Sequence, residues 1–151
     1  MTAVDFTSMS GLELMRWAQR DRPADTSSIG RLIGITMDEV EKGYAAMSIR
    51  TQPDFSNPLG QVHGGIAATL LDSVMACAVH TTLPAGARYT TLELKVNYIR
   101  SVALDAGRIT TEGRVIHVGR TVATADEGKA FDESGKLVAH ATTTCMIFLP
   151  R

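Results

Sequence analysis

A single carboxylate interrupts a long apolar segment in the middle of the chain. Asp72 is the only acidic residue within residues 64–80, where nearly all other positions are small or apolar. A buried carboxylate is costly unless neighbours satisfy it or chemistry requires it. At helical spacing, Asp72 shares one narrow polar stripe with Thr69, Ser73 and His80. The pattern therefore predicts either a catalytic acid or base, or a core aspartate bonded to a neighbouring strand.

The residues that precede this carboxylate carry a second chemical feature. His63 is followed by Gly64 and Gly65 at the expected first turn of a helix. Glycines there allow a substrate oxygen to approach free backbone N–H groups, and the helix dipole adds partial positive charge. Fixed donors of this kind stabilise the negative charge that develops on a carbonyl oxygen, as in an oxyanion hole. Alone, the glycine pair is a weak signal and fits a flexible helix start at least as well.

The element that must position both features is a long helix, predicted at about residues 64–82 and ended by Pro84 and Gly86. It has no wide charged face, so the rest of the chain should cover it on most sides. Residues 91–99 alternate between apolar and polar, which indicates a half-buried strand. The sequence therefore predicts an antiparallel sheet curled around a core helix.

The remaining elements complete one domain over residues 1–151, in which residues 1–28 form an N-terminal helix and extension. Ser10 and Glu13 form a capping-box pattern, and Pro23 would interrupt the helix that they begin. The fold class is therefore α+β. Strands are predicted at about residues 31–37, 43–50, 91–99, 107–118, 120–131 and 137–148.

Composition narrows the function classes. The net charge is -1 and the basic residues are scattered, so no nucleic-acid partner is expected. No apolar stretch is long enough to span a membrane, and the first ten residues lack a signal-peptide layout, which together predict a cytoplasmic protein. Cys77 and Cys145 do not form a disulfide pattern, and no Cys/His spacing suits a metal.

The spacing of these residues resembles a known family. Asn57, the triplet His63-Gly64-Gly65, and Asp72 nine residues after the histidine are similar to the PaaI-like, 4-hydroxybenzoyl-CoA-thioesterase-related hot-dog thioesterases. Residues 91–100 and 132–139 extend the likeness. The resemblance implies a hot-dog fold, in which an antiparallel sheet wraps around a long central helix. It also implies homodimers or homotetramers whose active sites lie at the subunit interface.

The same resemblance implies hydrolysis of an acyl-CoA thioester to a free acid and CoA. The thioester carbonyl would be polarised mainly by the Gly65 N–H. Asp72 of the partner subunit would act as general base or as nucleophile, and these alternatives stay open. Asn57 would orient the water or the thioester, and Thr91, with Thr90 beside it, could assist the water. His63 is expected to shape the loop by local hydrogen bonds rather than to transfer a proton.

Binding of CoA requires cations near the pocket mouth, because its phosphates are anionic. Arg100 and Arg120 are the predicted cations, although each is equally consistent with a solvated turn residue. Gly64, Asn97 and Tyr98 are predicted to line the same region. No separate cofactor is expected, since CoA is part of the substrate.

Two other functions fit the same fold. A hot-dog hydratase or dehydratase would use a histidine paired with an acidic residue, and a non-catalytic acyl-CoA-binding protein would keep the pocket without the reaction. The acyl group itself stays open among aryl, phenylacetyl and aliphatic groups.

Overall fold

The computed structural model describes Asp5 and residues 7–150. Its elements in chain order are α1 (Gly11–Arg20), α2 (Ile29–Ile33), β1 (Thr36–Glu41), β2 (Tyr44–Arg50), a short 3-10 turn (Pro53–Phe55), α3 (Gly64–His80), β3 (Arg88–Tyr98), β4 (Arg108–Val118), β5 (Val122–Phe131) and β6 (Leu137–Phe148).

The six strands form one antiparallel sheet in the order β1-β2-β4-β5-β6-β3. The strands β1 and β3 therefore lie at its two edges. The edge strand β3 has 11 residues and pairs with β6 alone. A long edge with unpaired backbone groups is a template for another strand.

Helix α3 packs across one face of this sheet and forms the centre of the core. Leu70, Leu71, Val74 and Met75 have no accessible surface. The sheet approaches the helix closely because a glycine faces it: a Cβ added at Gly113 would lie 2.9 Å from the backbone of Met75. The prediction of a core helix covered by an antiparallel sheet agrees with this arrangement.

Most element boundaries follow the sequence, with one clear error. The capping box of Ser10 and Glu13 is present, and α3 begins at Gly64 as predicted. The first strand was predicted too early, at residues 31–37, because residues 29–33 form helix α2 and β1 spans Thr36–Glu41. Ser28 caps this helix by accepting from the Arg31 N–H, and Gly34 ends it with a φ of 76°. Local capping therefore decides the conformation of this short apolar run.

The N-terminal part of the chain lies against one end of α3. The Gly11 N–H donates to the Leu83 carbonyl at 3.0 Å, and a Cβ at Gly11 would overlap the His80 carbonyl. The predictions that concern residues 1–4 and 6 lie outside the described residues. In the part of the chain that the structure describes, no helix is long and apolar enough to cross a membrane.

Candidate active site

Asp72 lies at the middle of α3, where the side chain of Thr91 on β3 reaches it. The Thr91 hydroxyl donates to Asp72 Oδ1 at 2.9 Å, and both residues are half-buried. Among the described residues, this is the only hydrogen bond or ion pair of the carboxylate. One carboxylate oxygen is therefore held by the strand, while the other is left for a further partner.

A bulge in β3 brings Thr91 to the helix. Thr91 pairs with Cys145 and Glu93 pairs with Thr144, so Leu92 is an extra residue between the two pairs. In a regular strand, with Leu92 paired, Thr91 would share the face of Glu93, because side chains alternate along a strand. The bulge instead turns Thr91 toward α3 and leaves Leu92 exposed.

The environment of Asp72 is poorly solvated and holds neighbouring groups in their neutral forms. Desolvation raises the pKa of the Cys77 thiol to about 12, and the charge of Asp72 adds to this effect. Desolvation also raises the pKa of Tyr89 and of Cys145, with Asp72 contributing in the same direction. Thiols held neutral are poor nucleophiles, so Cys77 and Cys145 are not candidate nucleophiles here.

The first turn of α3 contains one unengaged amide, and it belongs to Gly64. His63 is the N-cap: its Nδ1 accepts from the Gly65 N–H at 2.9 Å, and its carbonyl accepts from the Ile66 N–H at 3.0 Å. Within the described residues, the Gly64 N–H makes no hydrogen bond. The predicted donor, the Gly65 N–H, is therefore engaged by His63 in this structure, and the Gly64 N–H beside it is the one without a partner.

Tyr98 explains why residue 64 is a glycine. Its hydroxyl donates to the Gly64 carbonyl at 3.1 Å, and its ring covers the start of α3. A Cβ at position 64 would lie 3.1 Å from the ring, closer than an ordinary van der Waals contact. Tyr98 thus fixes the helix entrance against the end of β3.

A cavity of about 300 Å³ opens beside this entrance. Asn57 lines it, and its Oδ1 accepts from the Leu59 and Gln61 N–H groups at 2.9 and 3.1 Å. The side-chain NH₂ of Asn57 has no partner among the described residues and is a possible donor. Arg100 also lines the cavity, anchored by a 2.6 Å bond from Nη1 to the Leu137 carbonyl. His63, Gly64 and Tyr98 line the cavity as well.

Three predicted binding residues lie elsewhere. Thr91 and Tyr98 have side chains that reach α3. Thr90 and Asn97 are their neighbours in the strand, and because side chains alternate between faces, Thr90 and Asn97 point to the opposite face of the sheet. Arg120 lies in the turn between β4 and β5, at the end of the sheet away from the cavity. Within one subunit, the structure does not bring these three residues to the helix entrance.

The Asp72 carboxylate and the unengaged Gly64 N–H are also separate within one chain. Asp72 follows Gly64 by eight residues on the same helix, which corresponds to about 12 Å along the axis. Asp72 and Thr91 do not line the cavity at the entrance. In the described part of the chain, no three His, Cys, Asp or Glu side chains are grouped to hold a metal.

Comparison with known proteins places this arrangement in a family. A family model described as the thioesterase superfamily matches residues 59–139, more than half of the chain. The 1,4-dihydroxy-2-naphthoyl-CoA hydrolase of Listeria monocytogenes is 27% identical over 115 residues, which cover 76% of this chain and 91% of that protein.

Solved structures give the same answer. A phenylacetic acid degradation-related protein of Ralstonia eutropha is 32% identical, with a TM-score of 0.76 over 87% of this chain and 97% of that one. The Escherichia coli PaaI protein, at 19% identity, shares the fold with a TM-score of 0.78 over 91% and 96% of the two chains. The fold predicted from the resemblance is thereby confirmed. The chain belongs to the thioesterase superfamily and is a thioester hydrolase with the hot-dog fold.

Proposed function

We propose that the protein hydrolyses acyl-CoA thioesters to a free acid and CoA, in a site that two subunits share. Asp72 of one subunit acts on a carbonyl whose oxygen is bound by the Gly64 N–H of the other. The observation that carries the proposal is the separation, along one helix, of a carboxylate with a free oxygen from an amide with no acceptor. Each needs a complement that the described residues of its own chain do not offer.

The edge strand β3 supplies the geometry of such a dimer. Thr91, in its first half, contacts Asp72, and Tyr98, at its end, contacts Gly64. If two β3 edges pair antiparallel about a twofold axis, the Thr91 half of one strand lies against the Tyr98 end of the other. The pairing therefore moves each Asp72 toward the helix entrance of the partner subunit. It also satisfies the backbone groups of both exposed edges.

The chemistry follows from these positions. The Gly64 N–H and the α3 dipole stabilise the oxyanion that forms when the carbonyl carbon is attacked. Asp72 takes a proton from water as the water oxygen bonds to that carbon; alternatively, Asp72 attacks first and water then releases the acid. The C–S bond breaks, and the CoA sulfur leaves with a proton. Thr91 holds one carboxylate oxygen so that the other faces the substrate.

The remaining site residues have supporting roles in this proposal. His63 acts as the N-cap, and its neutral Nδ1 must accept from Gly65, so this nitrogen cannot donate a proton. The free NH₂ of Asn57 orients the water or the thioester at the cavity. Arg100 binds a CoA phosphate at the cavity mouth. The twofold axis would bring Arg120 of the partner subunit to the same end of the sheet, where it could contribute a second cation.

The hydratase alternative has less support. It requires a histidine paired with an acidic residue, whereas His63 is committed to capping α3 through Nδ1. Assays of thiol release and of enoyl-thioester absorbance on the same substrate separate the two reactions. A homotetramer made of two such dimers, a cytoplasmic location and the absence of a separate cofactor stay predictions.

Replacement of Asp72 by Asn tests the proposal directly. The substitution keeps the size of the side chain and the acceptor for Thr91 but removes the base, so kcat for acyl-CoA hydrolysis should fall by about 10²-fold or more. The thermal unfolding midpoint should stay close to that of the parent. Hydrolysis within about threefold of the parent would contradict a catalytic role for Asp72. If the variant loses thiol release but still binds acyl-CoA, Asp72 is needed for the reaction and not for binding. That result would exclude the non-catalytic alternative for the parent protein.

A further inference from the structure

A second and larger cavity lies on the other side of the catalytic helix. It has a volume of about 560 Å³ and separates α3 from the N-terminal segment, residues 18–37. We call it the N-terminal cavity. Its walls include Ala18 of α1, Met37 of β1 and Met47 of β2. On α3, Ser73 and Cys77 face it, one helical turn apart.

This cavity lies along the same helix as the proposed catalytic carboxylate, which does not itself line it. Ser73 directly follows Asp72, and Cys77 lies about 7.5 Å further along the helix axis. The charge of Asp72 also contributes to the raised pKa of the Cys77 thiol. A group attached to a carbonyl at Asp72 could therefore reach the N-terminal cavity of the same subunit.

The lining of the cavity changes from apolar to charged toward the solvent. Met47 is only 3% exposed and marks the inner end, whereas Arg22 and Arg31 are exposed at the rim. Met37, which is partly buried, packs near the inner end. Methionine side chains are flexible and polarisable, so they adapt to ligands of different shape. The inner part therefore suits an apolar chain or ring, and the volume is in the range of small-molecule sites.

We propose that the N-terminal cavity receives the acyl group, and that this group is a largely apolar acyl chain of several carbons rather than acetyl. The inference rests on the proposed function and adds to it the class of the acyl substrate. A thioester held at Asp72 carries a CoA group and an acyl group. The CoA group extends to the cavity that Arg100 lines, and the acyl group enters the N-terminal cavity.

The segment that builds this cavity lies outside the part of the chain that the family model matches. That match covers residues 59–139, which include Ser73 and Cys77, but Ala18, Met37 and Met47 precede it. Acyl selectivity is thus set by the N-terminal segment, while the reaction is set by α3 and β3.

The test compares a substitution that fills the cavity with one that does not. Ala18→Phe adds a ring to the wall opposite α3, away from Asp72. Arg16→Phe places the same side chain on an exposed position of α1 that does not line the cavity. Purified full-length proteins are assayed for thiol release with acetyl-, butyryl-, hexanoyl- and octanoyl-CoA, and unfolding midpoints are recorded.

For the parent, kcat/KM should rise with chain length, at most by about fourfold for each methylene group that becomes buried. In Ala18→Phe, the ratio of kcat/KM for octanoyl-CoA to that for acetyl-CoA should fall by at least about 10-fold, because the ring displaces two or more methylenes. Arg16→Phe should keep the parent ratio. Met37→Ala, which enlarges the cavity, serves if Ala18→Phe unfolds, and should move the preferred chain length upward.

A parent with no chain-length dependence overturns the inference but leaves the proposed function intact. The same holds if Ala18→Phe changes all four substrates equally, if it changes none, or if Arg16→Phe produces the same change in ratio. A parent that hydrolyses no acyl-CoA refutes the proposed function itself.

Discussion

The assignment of the oxyanion donor to Gly64 can be tested by removing a single N–H group. Proline has no N–H and is well tolerated at the first position of a helix, which Gly64 occupies. The preceding residue must then be extended, and His63 already has φ -61° and ψ 133°. Gly64→Pro should therefore keep α3 and its cap while it removes the proposed donor.

The matched control is Gly64→Ala. Both substitutions add a Cβ about 3.1 Å from the Tyr98 ring, which must shift by a few tenths of an ångström. Only the proline variant loses the N–H, and it adds two ring carbons that alanine lacks, so the ratio of the two activities reports mainly the contribution of the hydrogen bond. Loss of one oxyanion donor costs about 10²- to 10³-fold in kcat, or about 2.7–4 kcal/mol of transition-state stabilisation.

The assay is steady-state thiol release, with kcat and KM determined separately for the parent and both variants. The expected result is a fall in kcat from Gly64→Ala to Gly64→Pro of about 10²-fold or more, with a smaller change in KM. Circular dichroism and unfolding midpoints check that both variants keep the fold. Equal kcat values for the folded alanine and proline variants would refute the reasoning and return the donor role to Gly65.

Three further predictions test the shared site and its surroundings. Asp72→Asn and Gly64→Pro subunits, each inactive alone, should recover about a quarter of the parent activity when they are refolded together. Half of the dimers are then mixed, and each mixed dimer has one intact site. No recovery of activity would place both groups in one chain. Thr91→Val should lower kcat/KM by about 10-fold while Thr91→Ser keeps it, because only serine retains a donor to Asp72; equal values for the two variants would remove Thr91 from the mechanism. Cys77, with a pKa of about 12, should have a thiolate fraction of about 10⁻⁴ at pH 8 and be alkylated far more slowly in the native than in the unfolded protein. Alkylation is followed by mass spectrometry, and comparable rates would contradict the raised pKa of the thiol.

The sequence was sufficient to predict the order of the main elements and the residues that begin and interrupt α3. It was not sufficient to identify the free amide. The choice between Gly64 and Gly65 depends on the rotamer of His63, which places Nδ1 at one N–H and not the other. Helix α2 was missed because capping by Ser28 and Gly34 outweighs the strand propensity of the apolar residues between them.

The faces of β3 show a different limit of pattern reasoning. Strict alternation over residues 91–99 puts Asn97 on the polar face with Glu93, away from the helix, and the structure agrees. The same alternation would put Thr91 on that face too. The inserted residue Leu92 changes the phase, and a bulge of this kind leaves no mark in a hydrophobic pattern.

This bulge links the proposed catalysis to the proposed assembly. It lies on an edge strand, and it is the feature that turns Thr91 toward Asp72. The same strand ends at Tyr98, which holds the entrance of α3. A change in how β3 pairs at its free edge would therefore move both the Asp72–Thr91 pair and the helix entrance at Gly64. Dissociation of the proposed dimer should abolish hydrolysis even though each subunit keeps its fold, because neither Asp72 nor Gly64 has its complement among the described residues of its own chain.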